Sequence, residues 1–276
     1  MRTKIVELLR DFEHKYEIRI LLAVTSGSRG LGYSSPESDW DVRFIYVHKP
    51  EWYFSVAPTD DVIEYVDAAS GLDVEGFDLK KALALLTKTN PIESDWLHTK
   101  DILIVDEDFL GRMLTFERMC YNTKSAMYHF YSISVKHNER YLDKEITLKR
   151  FIYYMRGMLA CRWIERNGCH PPIIVDELID ATITDNEKIR LAAHNLLASK
   201  REGKTHDKDI VESGLADYVF AMNEYYNEIM KRELGIARCG LACCLCSEND
   251  TCKGCRQDGF IDLSWCKDAK WCENRN

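Results

Sequence analysis

Two aspartates separated by one residue are the side chains of this sequence best placed to do chemistry. Asp39 and Asp41 open an apolar run, DVRFIYV, that predicts a strand. Side chains at positions i and i+2 of a strand point to one face, so the two carboxylates would repel each other. A divalent cation between them and a nucleotide phosphate would remove that repulsion. The alternative is an ordinary turn or helix cap, where Asp-x-Asp is common.

A small-residue loop precedes the aspartates and supplies the other half of such a site. It follows an apolar stretch at residues 18–24 that predicts a strand, and it opens on Gly27 and Ser28. Glycine lets the backbone approach a phosphate closely, and serine offers a hydroxyl and a backbone N–H. Each signal alone is common in loops. Together, in a strand–loop–strand context, they favour a phosphate site.

The pattern G-S-x10-D-x-D resembles the signature of the DNA polymerase β-type nucleotidyltransferase superfamily. The longer string SGSRGLGYSSPESDWDVRFIYV resembles the predicted bacterial nucleotidyltransferase branch related to the RNA-ligase-associated group. The resemblance implies a Mg²⁺-dependent enzyme with two ions, moving an NMP from an NTP to an acceptor hydroxyl on an RNA end, a protein or a small molecule. Thr25 and Gly30 stand where relatives often have Glu and Ala.

The resemblance also implies a third carboxylate on a later strand. Relatives show L-D-x-x-G-W-D-L-x-K-x-L where this chain reads LDVEGFDLKKAL. Asp73 is therefore the expected third acid, as a ligand of the magnesium or as the general base for the attacking hydroxyl. The alternative is an aspartate at a strand end. Asp78 is expected to cap the helix that follows.

Three further side chains follow one face of a predicted helix. Lys149, Tyr153 and Arg156 are spaced at i, i+4 and i+7, and similar spacing occurs in the relatives. Two cations beside an aromatic ring could hold a triphosphate and stack a base, although a solvent-exposed face would show the same pattern. Arg29 could neutralise phosphate charge, or could pair instead with Glu37 or Asp39.

The cysteines point to a separate metal-binding tail. Of 11 cysteines, eight follow Arg238. The tail resembles a short Cys-rich domain of unknown function that begins CGL-x-C-x-x-C. So small a unit builds little core, so a structural Zn²⁺ would supply its folding energy, with an iron–sulfur cluster or disulfides as alternatives. The expected zinc ligands are Cys239, Cys243, Cys246, Cys252, Cys255, Cys266 and Cys272.

Composition and patterning limit the remaining choices. The net charge of −8 gives no global basic field for nucleic acid, no apolar run is long enough for a membrane span, and no secretory signal is recognised. A cytoplasmic protein that binds an NTP is expected. The fold class expected is α+β/α in three parts. These are a small mixed-sheet nucleotidyltransferase domain (1–115), a helical domain closing the cleft (116–236) and a Cys-rich zinc module (237–276).

A second function class stays open from the sequence. The chain could be a zinc-dependent interaction or sensor module on an inactive nucleotidyltransferase scaffold. The intact pair Asp39 and Asp41 argues against it, because an inactive site has no reason to keep two facing, unpaired acids.

Overall fold

The computed structural model describes residues 1–56, 60–142, 147–204 and 211–232 of the chain. The strands are β1 (Ile18–Thr25), β2 (Trp40–His48), β3 (Val62–Asp67), β4 (Leu72–Asp78) and β5 (Ile102–Val105). The helices are α1 (Arg2–Tyr16), α2 (Gly27–Gly30), α3 (Pro50–Tyr53), α4 (Leu79–Thr87), α5 (Pro91–His98), α6 (Glu107–Cys120), α7 (Thr123–Leu142), α8 (Leu148–Asn167), α9 (Val175–Thr182), α10 (Glu187–Arg201) and α11 (Ser213–Arg232).

The five strands form one mixed sheet in the order β3-β4-β2-β1-β5. Only the β2–β4 pair is parallel, and the other neighbours are antiparallel. β1 is buried along almost its whole length because it has a strand on each side and helices on both faces. The parallel register places each β2 residue from Trp40 to Tyr46 directly beside one residue of β4.

Alternation along β2 sends its side chains to two different layers. Val42, Phe44 and Tyr46 pack with the apolar side of α1 on one face of the sheet. Ile45 belongs to the opposite layer, which is filled by α4, α5 and α6. Asp41 is two positions from Arg43 and four from Ile45, so the polar end of β2 lies on the α4–α6 side.

Side-chain caps fix where the helices of that layer begin. Asp78 accepts a hydrogen bond from the backbone N–H of Lys80 at the start of α4, as the sequence predicts. Asn90 accepts from the N–H of Ile92, and Pro91 occupies the first turn of α5, where its missing N–H costs nothing.

The remaining helices, α7 to α11, share a second apolar core. Its members include Phe151, Met155 and Leu159 of α8, and it also takes in Leu31 and Tyr33 from the loop before β2. The mixed sheet followed by a helical part confirms the predicted fold class for the described residues. The cysteine-rich tail lies outside them. Within the described part of the chain, none of the helices combines the length and hydrophobicity that crossing a membrane requires.

Gly157 controls the packing of α8 against α7. A Cβ at this position would lie 1.7 Å from Ser134 Oγ and 3.0 Å from the carbonyl oxygen of Phe130. We expect Gly157→Ala to destabilise the protein by about 1–3 kcal/mol, because the helices must move apart. Thermal or urea unfolding measures the change.

The control is Gly111→Ala in α6, where no atom lies within 4 Å of the new methyl group. It should leave the free energy of unfolding unchanged or raise it by roughly 0.5–1 kcal/mol. Equal effects of the two substitutions would contradict the close approach of α7 and α8.

Candidate active site

The carboxylates singled out in the sequence lie at one end of the parallel strand pair. Asp41 and Asp73 are direct neighbours in the β2–β4 register, and Asp39 immediately precedes β2. The side chain of Asp41 is 29% exposed and that of Asp73 is 46% exposed, while Asp39 is an exposed residue. All three carboxylates are therefore accessible to solvent at the mouth of the site.

Arg43 is the residue that the sequence analysis missed. It follows Asp41 by two positions, and it lies opposite Glu75 in the register. Its Nη2 is 3.2 Å from Asp73 Oδ2 and 3.9 Å from Asp41 Oδ1, and its Nε is 3.5 Å from Glu75 Oε2. The strand alternation that pairs Asp39 with Asp41 could have identified Arg43, because it extends the same face by one step.

Because of this guanidinium, the neighbouring acids form ion pairs in the structure. Among the described residues, no group of three or more His, Cys, Asp or Glu side chains is positioned together to hold a metal ion. Asp73 instead forms an ion pair with Arg43. Asp41 lies farther from this guanidinium, at 3.9 Å. Burial raises the pKa of its carboxyl, the charge of Arg43 opposes the rise, and the charge of Asp73 adds to it.

The glycine loop lies directly on Asp41. Gly27 has a φ of +56°, and a Cβ there would lie 1.9 Å from Asp41 Oδ2. The N–H of Ser26 donates to the carbonyl oxygen of Asp41 at 2.7 Å, which ties the loop to the strand. Ser28 is buried in the short helix α2. Glycine is required at position 27 for its positive φ and for this close approach.

Thr25 and Arg29 hold the ends of this loop. Thr25 is fully buried, its backbone N–H donates to the carbonyl oxygen of Asp101 at 2.9 Å, and its hydroxyl donates to the Asp101 carboxylate. Arg29 donates to the carbonyl oxygens of Ser38 and Asp39, at 2.6 and 3.1 Å, and lies over the ring of Trp40. Its observed partners are these backbone oxygens rather than the Glu37 or Asp39 carboxylates considered from the sequence.

A pocket of about 300 Å³ opens beside the glycine loop. Gly27 lies on one side of it, and Tyr153 and Arg156 of α8 lie on the other. Most of the wall is apolar, including Trp96 and Phe130. The volume is at the small end for ligand sites, which suits one planar group with its sugar rather than a polymer. Two of the three side chains predicted to line the cleft, Tyr153 and Arg156, thus line the same pocket as Gly27.

Arg156 is held in the pocket wall by a buried network. Its Nη2 is 2.8 Å from each carboxylate oxygen of Asp95, and His170 Nε2 lies 3.1 Å from Asp95 Oδ1. Burial tends to raise the pKa of Asp95, but Arg156 and His170 outweigh it and keep the carboxyl ionised. The Nε of Arg156 is buried without a hydrogen-bond partner.

Two lysines face the acids from the helical part. Lys149, the third member of the predicted α8 face, is exposed, and its charge opposes the rise in the pKa of Asp41. Lys200, near the end of α10, is 5% exposed; burial and then Lys149 lower its pKa, while Asp39 opposes the change. Lys200 had no signal in the sequence, because nearly two thirds of the chain separates it from the loop and it belongs to an amphipathic helix.

A buried acid lies behind the same layer. Glu93 of α5 is fully buried, and neither carboxylate oxygen has a hydrogen-bond partner. Burial raises its pKa to about 8, Lys81 opposes the rise and Glu75 adds to it. Glu93 is therefore largely protonated at neutral pH, and it adds no further negative charge to Asp39, Asp41 and Asp73, which together form the acid row.

Comparison with known proteins places these features in a family. The family described as "RlaP: RNA repair pathway DNA polymerase beta family" matches residues 1–231. A relative from Bacillus subtilis (strain 168), "Uncharacterized protein YcgL", is 35% identical over 209 residues, which are 75% of this chain and 79% of that protein. A solved nucleotidyltransferase-like protein from Exiguobacterium sibiricum 255-15 is 12% identical, with coverage of 83% of this chain and 80% of that chain; its TM-score of 0.31 establishes no common fold.

Gly27 provides a direct test of the loop geometry. We expect Gly27→Ala to displace the Asp41 carboxylate, because the added methyl group and the oxygen cannot occupy the same space. Nucleotide binding should weaken by about tenfold or more, the scale of one lost charge-assisted contact. Titration with a fluorescent nucleotide measures it.

Gly203→Ala is the matched control, since Gly203 also has a positive φ (+83°) but nothing lies within 4 Å of the added methyl group. It shares the backbone strain without the clash. Equal losses of nucleotide binding in both variants would show that strain, rather than contact with Asp41, is responsible.

Proposed function

We propose, because this chain belongs to the RNA repair pathway DNA polymerase beta family, that it is a Mg²⁺-dependent nucleotidyltransferase. In this reaction the acceptor hydroxyl oxygen bonds to the α-phosphorus of an NTP. The bond from that phosphorus to the oxygen that bridges the α- and β-phosphates breaks, and pyrophosphate leaves. The hydroxyl proton passes to a base. The observation that carries the proposal is the contact of Gly27 with the Asp41 carboxylate, beside a pocket of nucleoside size.

The acid row fits magnesium by its chemistry. Carboxylate oxygens are the ligands that Mg²⁺ prefers, and Asp39, Asp41 and Asp73 all reach solvent. In our proposal Asp39 and Asp41 hold the ions, and Asp73 joins them or takes the proton of the attacking hydroxyl. Bound magnesium would lower the pKa of that hydroxyl and neutralise charge on the phosphates.

In this proposal the other groups of the site bind either the phosphates or the nucleoside. The backbone N–H groups of Gly27 and Ser28 would bind the phosphates. Lys149 and Lys200 would neutralise phosphate charge from the helical side, because both are electrostatically coupled to the acids. Tyr153 and the apolar pocket wall would hold the nucleoside, with Arg156 beside them in the wall.

The acceptor is proposed to be an RNA end, following the words of the family description. A protein hydroxyl and a small molecule are the other acceptors that the chemistry allows. The full chain should be incubated with Mg²⁺ and each NTP, labelled on the α- or the γ-phosphate, with RNA carrying defined ends. Transfer of the α-label but not the γ-label identifies nucleotidyl transfer. No α-label transfer to RNA, protein or small molecules would favour the interaction module on an inactive scaffold.

Asp41 provides the test of the acid row. We expect Asp41→Asn, like Asp39→Asn, to lower transfer at least 100-fold, the approximate scale of losing one charge-stabilising group. The melting temperature without divalent ions should not fall, since the substitution removes repulsion between Asp41 and Asp73.

Asp108→Asn is the control, because Asp108 is an exposed α6 residue that pairs with Arg112 at 2.8 Å. It should keep wild-type turnover. Near-normal transfer by Asp41→Asn would exclude the acid row from catalysis.

We also propose that the tail binds structural zinc. Support comes from its thiolate pairs at short spacing, such as Cys252 and Cys255, which suit tetrahedral Zn²⁺. Its seven candidate ligands, Cys239 to Cys272, lie outside the described residues.

Purified chain should contain about one zinc, or two if all seven thiolates are used. Cys252→Ser should lower the zinc content measured by elemental analysis, whereas Cys169→Ser, at an exposed cysteine outside the tail, should not. Bound iron with visible absorbance would replace zinc by a cluster. Metal-free protein with paired tail cysteines would contradict both.

A further inference from the structure

Arg43 lies beside the acid row and is held in place by several contacts. Its Nη1 donates to the carbonyl oxygens of Val42 and Asp73, at 2.8 and 3.1 Å, and the guanidinium reaches the carboxylates of Asp41, Asp73 and Glu75. Its side chain is only 16% exposed. Two backbone anchors and a planar fork hold the charge in one place between β2 and β4.

The position of this charge conflicts with a divalent ion held by Asp41 and Asp73. The guanidinium lies 3.2 Å from the Asp73 carboxylate and 3.9 Å from that of Asp41. A cation bridging those two acids would meet the positive charge of Arg43 at close range, and like charges repel strongly in a partly buried site. Asp73 can therefore join a metal ion only if it releases Arg43.

Glu75 offers the released guanidinium a second partner. It lies opposite Arg43 in the strand register, and its Oε2 is already 3.5 Å from Arg43 Nε. A short movement of the arginine side chain would replace the Asp73 contact with a closer Glu75 contact. Glu75 could therefore hold the arginine while Asp73 joins Asp41 at the metal.

We propose that Arg43 is the counter-ion of the acid row in the absence of metal, and that it exchanges from Asp73 to Glu75 when a divalent cation binds. Arg43 is in this role a positioning residue: it keeps β2 and β4 together against the repulsion of their acids, and it sets the affinity of the site for metal. The inference depends on the proposed function only for the presence of a divalent cation.

The test measures Mn²⁺ binding to the full chain without nucleotide, by electron paramagnetic resonance or calorimetry. Because competition is reciprocal, Arg43→Gln should bind Mn²⁺ at least about fivefold more tightly than the wild type. In EDTA its melting temperature should fall by roughly 2–4 °C, and Mn²⁺ should restore it. Arg19→Gln is the matched control, because Arg19 lies on β1 and pairs with Asp106, the N-cap of α6, away from the acid row. This substitution should change neither the metal affinity nor the effect of metal on the melting temperature.

Arg43→Lys separates contact exchange from a general charge effect. Lysine keeps the positive charge but cannot bind two carbonyl oxygens and a carboxylate with one fork. Exchange predicts tighter Mn²⁺ binding in this variant also. Unchanged affinity would show that only the positive charge of Arg43 matters, and would overturn the inference. Glu75→Gln should weaken Mn²⁺ binding, because the released arginine loses its second partner; this comparison remains informative if Arg43→Gln fails to fold.

Other outcomes are equally decisive. Wild-type Mn²⁺ binding that is unchanged in both Arg43 variants overturns the exchange and leaves the proposed transferase intact. Absence of Mn²⁺ binding from wild type and variants overturns the exchange together with the magnesium part of the proposed function. Mn²⁺ binding with the expected changes, but no transfer of an α-label, retains the exchange and rejects the transferase.

Discussion

The parallel pairing of β2 with β4 is the constraint on which the site depends. Its register sets Asp41 beside Asp73 and Arg43 beside Glu75, so three acids and one base share a small area. Three negative charges cannot lie so close without neutralisation, and one guanidinium supplies only part of it. In the proposed function a divalent cation supplies the rest. The same pairing places Asp41 beside the glycine loop, where its carbonyl oxygen accepts from the N–H of Ser26.

The helical part completes the site by fixing that loop rather than by adding acids. Val175 N–H donates to the carbonyl oxygen of Leu31 at 3.1 Å, and Arg201 donates to that of Gly32. The Asp95–Arg156 pair joins α5 to α8 across the pocket. Removing Arg156 would leave the buried Asp95 charge uncompensated, so a loss of function in such a variant would combine misfolding with lost contacts. Substitutions at Gly27 or at the lysines would test the site with less risk of misfolding than substitutions at Arg156.

The sequence predicted the elements that carry strong local signals. The strands on either side of Gly27, the cap at Asp78 and the long helices follow from spacing and residue type, and the structure confirms them. The segment predicted as a loop from Gly27 onward instead begins with the one-turn helix α2 (Gly27–Gly30). The four-residue strand β5 was missed, since so short an apolar run has no distinguishing period. Arg43, Asp95 and Lys200 act through partners 30 to more than 100 positions away. Such pairings depend on the register of β2 with β4 and on helix packing, which local patterns do not encode.

The distribution of charge partners explains why the cations of the cleft cannot be equivalent. Arg156 has a buried, ionised counter-ion in Asp95, so a triphosphate would gain little from its charge. Lys200 is in the opposite situation, because burial and the nearby Lys149 make its charge costly and lower its pKa. An anion between the two lysines would relieve that cost, and it would lie on the side of the acids that faces the helices. In the proposed function, a charge-paired arginine in an apolar wall and two lysines with costly charges would therefore separate the base from the phosphates within one cleft.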